Sequence, residues 1–167
     1  MLKEYSTISL KEIDSVSLLK LNRPEKLNAF NMQMLDDMLD AIDYINANDN
    51  IKSLVLTGAG RAFCAGADLS SGEKTFDKSF DTNSRYKSDF MRDAGGILNL
   101  KIYNSLKPVI AACNGDAVGI GATMQLPADV RIASKKSRFG FVFAKRGIVQ
   151  MVALVGFYLK LLAYQWL

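Results

Sequence analysis

The short apolar run Leu54-Val55-Leu56 passes directly into Gly58-Ala59-Gly60-Arg61-Ala62-Phe63-Cys64-Ala65-Gly66-Ala67-Asp68-Leu69, and this junction constrains the chain more than any other stretch. A buried strand ends there in a tight loop, because glycines and alanines offer no continuing apolar face and permit sharp backbone turns. Such a loop presents backbone N–H groups with no bulky side chains in the way. Donors of this kind, aimed at a developing negative charge, are often the largest single catalytic contribution. The segment reads as half of an oxyanion hole. A second glycine turn, Asn114-Gly115-Asp116-Ala117-Val118-Gly119-Ile120-Gly121-Ala122-Thr123, follows the apolar run Pro108-Val109-Ile110-Ala111-Ala112 and leads into a predicted helix. It can supply the other donor, helped by the positive end of that helix.

Two familiar glycine motifs are excluded. Gly119-Ile120-Gly121 is no dinucleotide fingerprint, because Met124 stands where the third glycine belongs. The stretch from Gly58 to Gly66 lacks the Gly-Lys-Ser/Thr ending of a phosphate loop. Histidine is absent altogether, which removes Ser-His-Asp triads, Cys-His pairs and imidazole metal sites in one step. No metal site is expected. Carboxylates, hydroxyls and backbone amides are left to carry any chemistry.

At 167 residues the chain suits one domain with a real core, and its 49% hydrophobic content agrees. Lys and Arg outnumber Asp and Glu by 21 to 17, a mild excess suited to an anionic ligand but without the basic block of a nucleic-acid binder. Cys64 and Cys113 lie far apart in apolar surroundings and read as reduced core residues of a cytoplasmic protein. The polar N-terminus carries no apolar signal region.

Thr7 to Leu10 and Val16 to Leu21 read as a hairpin around the polar stretch Lys11 to Ser15. Asn31 then caps a helix whose apolar positions Leu35, Met38, Leu39, Ile42 and Ile45 recur at three- and four-residue spacing. Ser53 to Thr57 follows as a buried strand, which gives a β-β-α-β order. Ser70 to Asp89, polar and without period, is read as a surface connection or a lid. Phe90, Ala94, Ile97, Leu98, Ile102 and Ser105 mark a second helix ending before Lys107-Pro108. Pro108 to Ala112 and Asp129 to Ala133 are expected to be buried strands.

Five motifs in order resemble the crotonase superfamily, which includes the enoyl-CoA hydratases and isomerases. They are Leu21 to Phe30 (LNRPEKLNAF), Phe63 to Leu69 (FCAGADL), Lys107 to Gly115 (KPVIAACNG), Ala128 to Ser134 (ADVRIAS) and Phe139-Gly140. The resemblance implies an α/β fold, a crotonase-like spiral of repeated ββα units whose C-terminal helical part is missing. It divides the chain into a core over 1–149 and an atypical apolar tail over 150–167.

By the same resemblance, the oxyanion-hole amides are those of Ala67 and Ile120, where Ile120 replaces a common glycine but keeps the N–H. Lys26, Leu27, Ala65, Asp68 and Leu69 fall at substrate-binding positions, with Lys26 and Leu27 near the CoA moiety. Asp68 is also read as the residue that holds its loop by bonding backbone N–H groups. The implied substrate is an acyl-CoA thioester of fatty acid metabolism, with no further cofactor, and relatives assemble as trimers or hexamers.

The acid and base groups depart from the pattern. The two glutamates of the hydratases correspond to Thr123 and Phe143, and neither can take and return a proton. Isomerases carry a later carboxylate in an Ile-x-Pro-Asp/Glu-Gly-Gly segment. Gly147-Ile148-Val149 matches its approach, but Gln150-Met151-Val152-Ala153 stands in its place. The tail beyond admits three readings: a short membrane anchor, a core helix, or an altered reading frame. Codons compatible with it, reread with one base restored before Gln150, permit Pro-Asp-Gly-Gly and the family segment that follows, and this reading is preferred. The chain is therefore read as an acyl-CoA enzyme of isomerase or hydratase type, with a noncatalytic acyl-CoA-binding fragment as the alternative.

Overall fold

The computed structural model describes residues 4–70, 72 and 93–146. The tail 150–167 and nearly all of the connection read as a lid lie outside them. Strands β1 (Ile8–Ile13) and β2 (Val16–Leu21) form the expected hairpin, in register from Ile8 opposite Leu21 to Ile13 opposite Val16. Most of the polar stretch is itself strand. Asp14 makes the turn with a φ of 54°, a left-handed conformation that Asp tolerates better than most residues.

Helix α1 (Met32–Ala47) begins where the sequence places it, with the Asn31 side chain accepting from the Met34 N–H at 2.9 Å. Its inner face carries Met34, Leu35, Met38, Leu39, Ile42 and Ile45, all at most 1% exposed. They pack with Leu19 and Leu21 of β2 and Leu54 and Leu56 of β3 (Ser53–Gly58) in one core. Asp37 of α1 ties down the chain's start, because its Oδ2 accepts from both the Thr7 N–H and the Thr7 hydroxyl.

The main sheet has five strands in the order β1-β2-β3-β5-β7, antiparallel at the hairpin and parallel from β2 onward. Here β5 is Val109–Cys113 and β7 is Val130–Ala133. Parallel neighbours need crossover connections, and α1 and α2 (Ala94–Tyr103) lie in two of them. A second sheet, β4-β6-β8, is built from β4 (Ala62–Cys64), β6 (Asp116–Val118) and β8 (Phe139–Gly140). The mixed α/β architecture is that of the crotonase-like spiral.

Two expectations are corrected. The strand in the Asp129 to Ala133 stretch is exposed along its length, with Val130 at 50% and Ile132 at 58%, because β7 is the last strand of its sheet and no described element covers it. Helix α2 begins after Asp93, whose side chain accepts from the Gly96 N–H at 2.7 Å, and ends before Ser105. Phe90 lies outside the described residues. The Ser105 hydroxyl instead bonds the Lys107 carbonyl in the turn before Pro108.

Candidate functional site

The site forms where the second sheet delivers both glycine loops to one end. After β4, the Ala65 N–H donates to Leu27 O at 3.0 Å, the Phe30 N–H to Gly66 O at 2.8 Å, and the Asp68 N–H to Phe30 O at 2.8 Å. Those last two bonds make a parallel bridge between Phe30 and Ala67. In such a bridge the flanking residues bond the partner strand, so the central residue's own N–H points to the other side. Among the described residues the Ala67 amide has no acceptor.

The second loop leaves β6 through Gly119, whose N–H is taken by Gly140 O at 2.8 Å. Helix α3 (Ile120–Thr123) follows at once. The first N–H groups of any helix lack an intrahelical acceptor, and that of Ile120 finds none among the described residues. Because α3 is a single turn, the helix contributes little aligned dipole. The expected help from the helix end is therefore small, and what this loop presents is the acceptorless Ile120 N–H.

The two loops touch. A Cβ added at Gly119 would lie 3.9 Å from Gly66 Cα, and one added at Gly66 would lie 3.2 Å from Val118 O. Both glycines have positive φ, 103° at Gly66 and 55° at Gly119, so each turn is closed by a residue without a side chain. Ala67 and Ile120 each directly follow one of these two neighbouring glycines.

Three polar side chains brace this arrangement. Asn28, fully buried with a φ of 55°, donates from Nδ2 to Ala59 O and Ala62 O. Asn114 donates from Nδ2 to Gly60 O at 3.0 Å and accepts from the Gly58 N–H. Arg23 reaches the Ala29 carbonyl with one nitrogen and Asp68 Oδ2 with another, at 2.6 and 2.8 Å. None of these three stood out from the sequence. Their positions in otherwise featureless motif segments were the available signal.

Asp68 Oδ1 accepts from the Ser70 N–H at 3.0 Å. The hydrogen bonds at Ser70, followed by Arg23, hold its carboxyl down at about 2 against the opposing effect of burial. A group ionised so readily is a poor base near neutrality, and its contacts are those of a loop clamp. Its folded-state value lies below the ordinary 3.8, so the stability it contributes is present above that pH and is lost as pH falls toward about 2. Thermal melts should show wild type losing Tm relative to Asp68→Asn on going from pH 5 to about pH 2. Parallel acid profiles for the two proteins would contradict the clamp.

Lys26 is exposed, with Nζ 3.8 Å from Asp68 Oδ2, and Leu27 adjoins Ala65 through the backbone bond already described. Leu69 is 45% exposed beyond Asp68. Lys26, Leu27, Ala65 and Asp68 thus gather on one side of the first loop. Of the two described positions that the resemblance assigns to the hydratase glutamates, Thr123 is fully buried with its hydroxyl donating to Ile120 O at 3.3 Å, and Phe143 is buried. Cys64 and Cys113 are free and buried, and burial pushes the Cys64 thiol up to about 11. No three metal-ligating side chains gather among the described residues.

The enoyl-CoA hydratase/isomerase family model matches residues 11–165. The chain belongs to the enoyl-CoA hydratase/isomerase family. It is 42% identical over 154 residues to an enoyl-CoA hydratase of Alternaria alternata, covering 92% of this chain and 49% of that protein. It is 38% identical over 142 residues to the 1,2-epoxyphenylacetyl-CoA isomerase of Escherichia coli, covering 80% and 50% respectively. An enoyl-CoA hydratase/isomerase structure from Pseudoalteromonas atlantica superposes with a TM-score of 0.71 at 30% identity, over 86% of this chain and 53% of that one. The chain spans about half the length of the curated relatives it matches. Among the described residues, no helix of this family member is long and apolar enough to cross a membrane.

Proposed function

We propose that the chain binds an acyl-CoA thioester and stabilises its enolate through the N–H groups of Ala67 and Ile120. The observation that supports this reading is the contact between the Gly66 and Gly119 turns, each followed directly by a residue whose amide has no acceptor among the described residues. Removing a proton next to a thioester carbonyl moves charge onto the carbonyl oxygen, and two fixed donors lower the energy of that species more than of the neutral ester. The thioester is the substrate and no further cofactor is needed. Lys26 at the loop's exposed edge suits a CoA phosphate.

Proton transfer is the missing part. Enoyl-CoA isomerisation or hydration needs a carboxylate, and Thr123 and Phe143 provide none. That observation favours a second reading, a noncatalytic acyl-CoA-binding fragment. Buried, unpaired Cys64 and Cys113 suit a reducing cytoplasm. Exposed Val130, Ile132, Phe139 and Phe141 offer apolar surface for assembly of the trimeric kind.

The binding test separates backbone from side chain. Ile120→Gly keeps the N–H and should leave affinity for an enolate-mimicking CoA ligand within about tenfold, roughly 1.4 kcal/mol. Ala67→Pro removes an N–H and should weaken the same ligand more. Equal and negligible effects in calorimetric titrations would reject the site.

A further inference from the structure

The main sheet has two faces, and helices α1 and α2 pack on one of them. Side chains alternate across a strand and partners in register share a side, so Leu18 of β2, Val55 of β3, Ile110 of β5 and Val130 of β7 form one row across four strands. Ile13 of β1 and Ile132 of β7 lie on the same face. None of these six is buried, and Ile13, Val130 and Ile132 are 57%, 50% and 58% exposed. Their neighbours pointing the other way, Leu19, Leu54, Leu56, Val109 and Ala111, are at most 2% exposed, in one core with residues of both helices.

Strands β2, β3, β5 and β7 run parallel, and parallel sheets occur almost only with both faces covered. The unbroken apolar runs Leu54-Val55-Leu56 and Val109-Ile110-Ala111 are those of strands buried on both sides. Two stretches of the sequence outside the described residues are long enough to supply the missing layer. Residues 73–92 carry nine charged side chains and make no apolar cover. Residues 151–167 carry one, Lys160, and a segment apolar on every side belongs in an interior. As a helix it would be about 25 Å long, against about 19 Å for the width of five strands. Its starting point fits as well. Ser137, two residues before β8, donates its hydroxyl to the carbonyl of Cys113, the last residue of β5, so the chain passes the end of the main sheet shortly before Arg146.

We infer that segment 151–167 covers this open face, laid as an apolar helix across Leu18, Val55, Ile110 and Val130. An altered reading frame as its origin does not change this, because apolar burial is non-directional and needs only apolar surface on both partners. Phe139 and Phe141, at and beside β8, remain as surface for a second copy.

Trp166 is the single tryptophan of the chain and lies within the segment, so the full-length protein reports on the docking by itself. Its emission should be blue-shifted, shielded from acrylamide and independent of protein concentration. Val130→Lys combined with Ile132→Lys, both at exposed positions of an edge strand, should shift that emission to the red and abolish the shielding. If that variant does not fold, a bimane label on Ile132→Cys serves instead, since tryptophan quenches bimane on contact. The label should be dim and should brighten when Trp166→Phe is added, and buried Cys64 and Cys113 do not compete for it. Solvent-exposed emission from the wild-type chain, or a bimane signal indifferent to Trp166→Phe, overturns the inference. So does shielding that grows with protein concentration, which assigns the cover to a second copy. Shielding seen only with phosphatidylcholine vesicles overturns it too, and makes the segment a membrane anchor.

Discussion

The 167-residue chain is expected to turn over enoyl-CoA thioesters about 10²- to 10⁴-fold more slowly than a form carrying a site carboxylate. Thr123 spends its hydroxyl on the Ile120 carbonyl and Phe143 has no proton to move, so an enolate held at the two amides would have no partner to return its proton. At the third family position the sequence carries Gln150-Met151. Restoring one base before the Gln150 codon should recreate a Pro-Asp-Gly-Gly segment and with it one carboxylate. Turnover should then appear, and it should favour double-bond migration in a 3-enoyl-CoA over hydration of a 2-enoyl-CoA, because the returned group is of the isomerase type. Steady-state assays of the two proteins check this. Robust turnover by the chain as it stands would contradict the account.

The second large effect is structural. A Cβ added at Gly121 would lie 2.2 Å from the Cys64 carbonyl oxygen and 2.7 Å from the Cys64 Cβ. Backbone cannot yield as a side chain does, so Gly121→Ala must push α3 away from β4 and separate the two loops. The expected cost is about 3 kcal/mol or more, a fall in Tm of roughly 10 °C. Gly140→Ala is the control, because its added Cβ would meet side chains at 3.5 Å, an ordinary contact distance. Its Tm should change little. Acyl-CoA affinity should fall with Gly121→Ala and hold with Gly140→Ala, and similar melts for the two variants would refute close packing of α3 on β4.

The main sheet and α1 were legible because their signals are local and periodic. Leu35, Met38, Leu39, Ile42 and Ile45 fall on one helical face, and Asn31 caps it within three residues. The second sheet was not legible as strands, because three residues at β4 and two at β8 are too few for alternation to show. The apolar pattern of Val130 and Ile132 signals a strand and says nothing of whether another element covers it.

For the site, the glycine loops announced two donors, yet the reason Ala67 is left unpaired lies in its bridge to Phe30, which is 37 residues away in sequence. The bracing by Asn28, Asn114 and Arg23 is likewise long-range, joining side chains to segments 31 to 56 residues distant. No local pattern encodes such contacts.

The central claim is that the Ala67 and Ile120 amides together hold a thioester oxygen. The most direct measurement is a ¹⁵N–¹H correlation spectrum of the chain titrated with a 3-oxoacyl-CoA, whose enolate places negative charge on that oxygen. The account predicts that the Ala67 and Ile120 amide protons move downfield together, as strengthened hydrogen-bond donors do, with a common dissociation constant. Binding of the ligand with both resonances unmoved would contradict it.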